Sequence, residues 1–256
     1  FETLATAFNQ MAARLESVES TRRQLLADLA HEIRTPVSVL NAFMEALEDG
    51  VTSLDNDTIT MLRGQTHRLT RFSRDVTALS DAEAASTSIE PTWVEPDTLV
   101  STAVSAAAEC YRANGITLTT DLPADLPPVW VDPERLGQVL SNLLDNAQRH
   151  TPPGGNVGIS VRRQHDEVTI TVADDGDGIA AEHLPHLFER FYRADSARDR
   201  DHGGSGIGLA IAKAFIDAHG GHLNVLSEGP ESGTTFVVAL PIEPETRTTN
   251  RHLRCQ

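Results

Sequence analysis

A histidine, a glutamate, a threonine and a proline stand together near the start of the chain, in Leu29-Ala30-His31-Glu32-Ile33-Arg34-Thr35-Pro36. The apolar residues around them recur as Leu25, Leu29, Ile33, Val37, Leu40, Met44 and Leu47, a helical spacing. Residues two apart on a helix differ by about 200°, so His31, two from both Leu29 and Ile33, points off that seam into solvent. Pro36 lacks an N–H, which leaves the Glu32 carbonyl without its helical partner and bends the helix beside the histidine. A proline inside a helix costs roughly 3 kcal/mol, and rules broken in mid-element are expected at functional sites. A neutral imidazole is a usable nucleophile at neutral pH, and a neighbouring carboxylate can hold its tautomer or take its proton. Thr35 lies one turn beyond. The same residues are also compatible with a surface histidine that does no chemistry.

Three further segments could handle phosphate. Asp174-Asp175-Gly176-Asp177-Gly178-Ile179 leaves the end of a predicted strand, with two glycines that let backbone approach a ligand closely. Gly203-Gly204-Ser205-Gly206-Ile207-Gly208-Leu209 leads into a predicted helix, whose N-terminal amides and dipole suit an anion. It lacks the P-loop lysine and follows no strand, so neither the Walker nor the dinucleotide-binding pattern fits. Asn142 and Asn146 are four apart on one helix face, with Asp145 and Arg149 beside them. An amide oxygen can ligate Mg²⁺ that is bridged to phosphates, because Mg²⁺ takes few protein ligands. Taken singly, these are also ordinary glycine turns and helix-surface asparagines.

The elements that must carry these residues fall into two groups. From Leu4 the apolar positions run Leu4, Phe8, Met11, Leu15, Val18, a coiled-coil seam, and the series resumes at Leu25. It breaks at Glu48-Asp49-Gly50 and restarts as Ile59, Leu62, Leu69, Val76 and Leu79. Two long helices with a short connection form an antiparallel hairpin. One hairpin buries too little of its apolar stripe alone, so pairing with a second copy into a four-helix bundle is expected; a plain dimerising coiled coil has the same periodicity. The Ala/Ser/Thr-rich stretch Asp81 to Glu90 reads as a hinge. Beyond it the pattern predicts helices over Pro96–Tyr111, Pro133–His150 and Ile207–His219. Strands are predicted over Ile116–Thr120, Val129–Val131, Val157–Val161, Val168–Val172, Leu223–Leu226 and Thr234–Leu240, with Asp132 as an N-cap. Clustered strands point to a two-layer α/β domain, not a doubly wound one.

Composition narrows the class. The 256 residues carry 21 Lys+Arg against 37 Asp+Glu, a net charge of -16, which argues against binding nucleic acid through phosphate contacts. The longest apolar run, Phe236 to Leu240, is far below the roughly 18–20 residues of a membrane helix, so no membrane contact is expected within this segment. No signal-peptide pattern opens it, and two cysteines, Cys110 and Cys255, form no disulfide framework, so a reducing compartment is expected.

Together these segments resemble the cytoplasmic core of a bacterial two-component sensor histidine kinase, over nearly the whole chain. Leu25 to Pro36 looks like the family's H box, Asn142-Leu143-Leu144-Asp145-Asn146-Ala147 its N box and Asp174 to Ile179 its G1 box. Leu187-Phe188-Glu189-Arg190-Phe191-Tyr192-Arg193 resembles the F box, Gly204 to Leu209 the G2 box, and Gly233-Thr234-Thr235-Phe236 the last glycine motif. The resemblance implies a helical hairpin that dimerises into a four-helix bundle, followed by an α/β two-layer sandwich of the GHKL (Bergerat) ATP-binding type. Its parts would be the end of a HAMP-like helix (1–18), a dimerisation and phosphotransfer domain (19–82), a hinge (83–90), a catalytic ATP-binding domain (91–243) and a polar tail (244–256).

The resemblance also implies roles for single residues. His31 would be the phospho-acceptor, Glu32 its acid/base partner, and Thr35 would position water for the reverse, phosphatase reaction. Asn146 with Asn142 would hold Mg²⁺. Asp174 would receive the adenine amino group of ATP, with Gly176, Gly178 and Ile179 shaping the base pocket. Gly204, Gly206 and Gly208 would line the phosphates, with Arg149, His150, Phe191, Leu209 and Thr235 completing the nucleotide site under a lid from Phe188 to Ser205. Arg149 and His150 stand where the family often has Lys and Tyr, and Glu231 replaces a glycine expected two before Gly233. The partners implied are a second copy and a response-regulator receiver domain, with the segment cytoplasmic in a membrane protein. A GHKL-type ATPase clamp and a catalytically silent signalling scaffold are the competing readings.

Overall fold

The computed structural model describes residues 11, 26–27, 29–31, 33–84, 89–194 and 206–242. Outside the described residues lie the HAMP-like stretch 1–18 apart from Met11, Glu32, residues 85–88 of the expected hinge, Gly204, residues 195–205 of the expected lid, and the tail 244–256. Two compact units divide the chain, Phe1–Val76 and Thr77–Gln256.

In the first unit, α1 runs over residues 33–48, and residues 26, 27 and 29–31 are helical as well. The helix continues through Pro36, which is buried, and His31 is exposed as its place off the seam requires. The expected break falls where Gly50 takes φ +68°, and the amide of Val51 reaches back to the Ala46 carbonyl at 2.9 Å. The second helix, α2 (Asn56–Ala84), is started by Asp55, whose Oδ1 accepts from the amide of Thr58 at 2.8 Å. That amide and the Thr58 hydroxyl hold the Asp55 carboxyl below its ordinary range. Along the seam Leu40 and Leu47 are half-buried while Ile33, Val37 and Met44 are exposed. A single hairpin leaves that stripe uncovered.

The second unit is an α/β sandwich. Its elements are β1 (Thr92–Val94), α3 (Pro96–Ala113), β2 (Thr117–Asp121), β3 (Val129–Val131), α4 (Pro133–His150), β4 (Asn156–Gln164) and β5 (Glu167–Asp174). A 3₁₀ turn (Leu184–His186), α5 (Gly208–Ala218), β6 (His222–Leu226) and β7 (Thr234–Pro241) follow. Five strands make one sheet in the order β2-β4-β5-β7-β6, with only β2 and β4 parallel. Alternation places Val157, Ile159, Val161, Ile170, Val172, Phe236, Val238 and Leu240 in the core, all at 1 % exposure or less. From α4 the residues Leu136, Val139, Leu140, Leu143, Leu144 and Ala147 meet them. The predicted helices and strands of this unit all form, within a few residues of their expected ends.

Two elements were not expected from the sequence. β1 pairs antiparallel with β3 as a separate two-stranded ribbon, with Trp93 opposite Trp130 and ring centroids 5.3 Å apart. A strand of three residues, closed in by Pro91 and Pro96, carries no period, which is why β1 is illegible. The Leu184–His186 turn is equally short.

Candidate functional site

The apolar stripe of α4 fixes its rotation and leaves Asn142 and Asn146 half-buried on one flank. Its start is capped by Asp132, which accepts from the amides of Glu134 and Arg135 at 3.1 and 3.2 Å. Tyr111 of α3 anchors its far end by donating to the Leu144 carbonyl at 2.7 Å. Burial pushes that phenol well above its usual range, with the charges of Asp145 and Asp174 adding to the effect.

Two other segments converge on the last turns of α4. The Nδ2 of Asn142 donates to the Gly208 carbonyl at 2.9 Å and ties α4 to the start of α5. The His150 carbonyl accepts from the amide of Asp177 at 3.0 Å, and a Cβ at Gly176 would stand 2.1 Å from the same oxygen. Glycine is thus required at 176 by the close approach of two backbones. His150 Nδ1 lies 3.7 Å from Asp177 Oδ2, an ion pair whenever the imidazole carries a proton.

Asp174 sits at the end of β5, half-buried, and its Oδ1 accepts from the amides of Gly176 at 3.0 Å and Thr234 at 3.1 Å. Burial pushes its carboxyl above the ordinary range; the two amides oppose that, and the charges of Asp175 and Asp177 reinforce it. A half-buried carboxylate aimed by two main-chain donors is a fixed acceptor for a ligand N–H. The neighbouring Asp175 is spent differently, on the backbone amide and side-chain amide of Asn156, which hold its carboxyl low.

At the other side of the site, the amide of Phe191 donates to the Gly206 carbonyl at 2.9 Å. Phe191 has φ +60° and Gly206 φ +69°, so both lie in the left-handed region that costs a non-glycine residue about 1 kcal/mol. Thr235 stands one residue into β7, opposite Ala173, and Leu209 is the second residue of α5. The structure thus joins Asn142 to Gly208, His150 to the Asp174–Ile179 segment, Phe191 to Gly206 and Thr235 to the strand that carries Asp174, while Asn146 and Arg149 lie on α4 and Leu209 on α5. His31 and Thr35 lie on the helix of the first unit, where the Thr35 hydroxyl donates to the His31 carbonyl at 3.3 Å. Glu32 and Gly204 lie outside the described residues.

The turn from Ser227 to Gly233 lies against the 174–179 segment, and only Glu231 and Gly233 of it stand out in the sequence. Glu231, standing where the resemblance expects a glycine, adopts φ +63°, in the left-handed region that favours glycine, and its amide reaches the Asp177 carbonyl at 2.6 Å. Ser227 bonds Ile179 and Gly233. A serine in a turn has no spacing that would mark it.

For Mg²⁺, the donor chemistry fits. The described residues hold no group of three His, Cys, Asp or Glu able to cage a metal, whereas a carboxamide or two beside a phosphate site is the sparse oxygen set that Mg²⁺ uses. With Nδ2 of Asn142 engaged by Gly208, its Oδ1 is the atom left to a ligand.

Comparison with known proteins matches residues 21–85 to the His Kinase A (phospho-acceptor) domain family. Residues 131–244 match the histidine kinase-, DNA gyrase B- and HSP90-like ATPase family. The signal transduction histidine-protein kinase BaeS of Escherichia coli K12 is 37 % identical over 240 residues, covering 94 % of this chain and 51 % of BaeS. The chain thus spans about half the length of that relative. Among solved structures, Acinetobacter baumannii histidine kinase AdeS aligns with a TM-score of 0.69 at 26 % identity, over 83 % of this chain and 98 % of that one. Full-length ShkA, solved in complex with AMPPNP, aligns at 0.63 and 26 %, over 86 % of this chain and 46 % of that one.

Proposed function

Because this chain belongs to the sensor histidine kinases of two-component systems, we propose that it phosphorylates itself on His31 from ATP and passes the phosphoryl group to an aspartate of a response-regulator receiver domain. The observation that carries this reading is the pairing of an aimed carboxylate, Asp174, with the Asn142–Gly208 tie beneath the glycine-rich segment, on a chain that also presents His31 to solvent. An ATPase clamp needs the first two and has no use for the third. The AMPPNP complex of ShkA, a structural neighbour, supports the same use of this fold.

Asp174 accepts the adenine amino group, and the α5 start with Gly206 and Gly208 offers amides and dipole to the phosphates. Asn146 and Asn142 would hold Mg²⁺, which would neutralise phosphate charge. An imidazole nitrogen of His31 attacks the γ-phosphorus in line; the P–N bond forms as the P–O bond to ADP breaks, and Glu32 takes the ring proton. Transfer onward breaks P–N and makes an acyl phosphate on the receiver aspartate. Thr35 serves the reverse direction by holding a water against that acyl phosphate. The 83–90 stretch acts as the hinge between the helical and ATP-binding domains, two copies join through the hairpin, and the chain is the cytoplasmic portion of a membrane sensor. No helix among the described residues is long and apolar enough to cross a membrane.

The test is labelling of the purified chain with γ-labelled Mg-ATP. Label that is labile to acid, stable to base and absent from His31→Gln is expected. Label that persists in His31→Gln overturns the assignment.

A further inference from the structure

Asp174 is aimed by two amides that come from different parts of the chain, Gly176 just after β5 and Thr234 at the start of β7. The direction of its carboxylate therefore depends on the spacing between the 174–179 segment and the 227–234 turn. Most of what holds that spacing is main chain. The amide of Gly233 donates to the Gly176 carbonyl at 3.1 Å, and the amide of Glu231 to the Asp177 carbonyl. A Cβ at Gly178 would meet the Gly229 carbonyl at 2.1 Å, and one at Gly233 the Asp174 carbonyl at 2.0 Å, so the two backbones are in contact along their length.

Ser227 is the side chain in this clamp. Its Oγ accepts from the amide of Ile179 at 2.9 Å and donates to the carbonyl of Gly233 at 2.7 Å. One hydroxyl is thus bonded to both segments, three residues after Gly176 on one side and one residue before Thr234 on the other. Its remaining contacts, the Gly229 carbonyl and the Ser232 hydroxyl, are both at 3.4 Å and do not compete for the proton. Deleting the hydroxyl leaves an amide and a carbonyl unpaired in a half-buried place, and the two segments lose the one side-chain bond among the main-chain ones that join them.

We infer that Ser227 is a positioning residue for nucleotide recognition: it sets the distance between the two amides that aim Asp174 and so fixes the preference for a base bearing an exocyclic amino group. This rests on the reading of Asp174 as the acceptor for the adenine amino group. Ser227 touches no nucleotide and takes no part in phosphoryl transfer. Its loss acts on base recognition and leaves phosphate binding and chemistry in place.

The experiment compares wild type, Ser227→Ala, Ser227→Thr and Asp174→Asn in the full chain, using ATP and the ATP analogue that lacks the exocyclic amino group. Binding is measured calorimetrically, and His31 labelling is followed against ATP concentration. In Ser227→Ala, ATP Kd and KM are expected to rise about five- to tenfold, with kcat within about twofold and the analogue's Kd unchanged. Ser227→Thr, which keeps the hydroxyl, restores ATP binding. Analogue binding reports folding of the site; should Ser227→Ala lose it, the comparison is read on the near-isosteric Ser227→Cys. Unchanged ATP binding in Ser227→Ala, or equal weakening of ATP and analogue in a folded variant, overturns the inference. If Asp174→Asn binds ATP like wild type, the adenine reading itself fails; if Asp174→Asn loses ATP and Ser227→Ala does not, only the role of Ser227 falls.

Discussion

Thr35 shares a helical face with His31, four residues on, and its hydroxyl already has a partner in the His31 carbonyl at 3.3 Å. That length is at the weak end for an O–H donor, and the oxygen keeps both lone pairs for other work. Two accounts of the residue follow. Either the back-bond supports a turn that Pro36 deprives of a main-chain bond, or the hydroxyl orients water for dephosphorylating a receiver domain. Labelling of His31 needs no oriented water, so the accounts separate in one variant. Thr35→Ala is expected to lose at least tenfold in receiver dephosphorylation while His31 labelling stays within about twofold, both rates being measured on one preparation; parallel loss would assign Thr35 to the turn alone. Thr35, Asp174 and Asn146 stand out in the sequence because they come at marked spacings or beside glycines or a proline, and the structure shows Asp174 aimed by two amides. Ser227 is not legible there, since nothing local sets it apart and its partners lie 48 residues before it and 6 after it.

Between elements, the cap of α4 does more than its sequence announces. The Asp-Pro pair at 132–133 is readable as a helix start, and Asp132 does cap it. What pattern could not give is the second set of bonds. Asp132 Oδ2 also accepts from the amide of Glu90, at the end of the expected hinge, and its own amide donates to Nε2 of His219 at the C-cap of α5. Burial pushes the Asp132 carboxyl up, and the amides of Glu90, Arg135 and Glu134 outweigh it, so the net direction is down. The His219 Nδ1 faces the Phe215 carbonyl at 2.7 Å, so Nδ1 carries the proton and Nε2 is the acceptor; this ring works neutral. Burial lowers its pKa below the ordinary 6.5, against smaller opposing effects from the Phe215 carbonyl and Asp132. The unfolded chain therefore takes up a proton first on acidification. The stability His219 contributes is complete above about pH 6.5 and falls as pH drops from there through the lower folded value. Denaturant unfolding at pH 7.5 and 5.5, followed by the two tryptophans of the β1–β3 ribbon, should show this loss, and His219→Gln should have a shallower pH dependence. An equal slope in the variant would remove His219 from the account.

For the molecule as a whole, the two units differ in how complete they are. The ATP-binding unit closes its own core, with Leu136, Leu140, Leu143, Ile211, Phe215 and Phe236 at zero exposure. The helical unit does not: Ile33 and Met44 are 45 % and 55 % exposed, on a seam whose spacing in fours and threes is that of helices packed side by side. Covering each such half-exposed side chain is worth roughly 1 kcal/mol, and a two-fold axis presents every one of them twice. A second copy joined through the hairpin, as proposed above, is the partner that would cover this seam. A charge placed on the seam tests the point, because a symmetric interface must bury it twice. Met44→Asp is expected to weaken the dimer at least about a hundredfold, roughly 3 kcal/mol, so that sedimentation at micromolar concentration moves from dimer toward monomer. ATP affinity should not follow, since the ATP-binding unit closes its own core. A Met44→Asp protein that sediments as wild type would place the contact on another face of the hairpin; one that loses ATP binding along with the dimer would mean the two units are coupled more tightly than their separate cores imply.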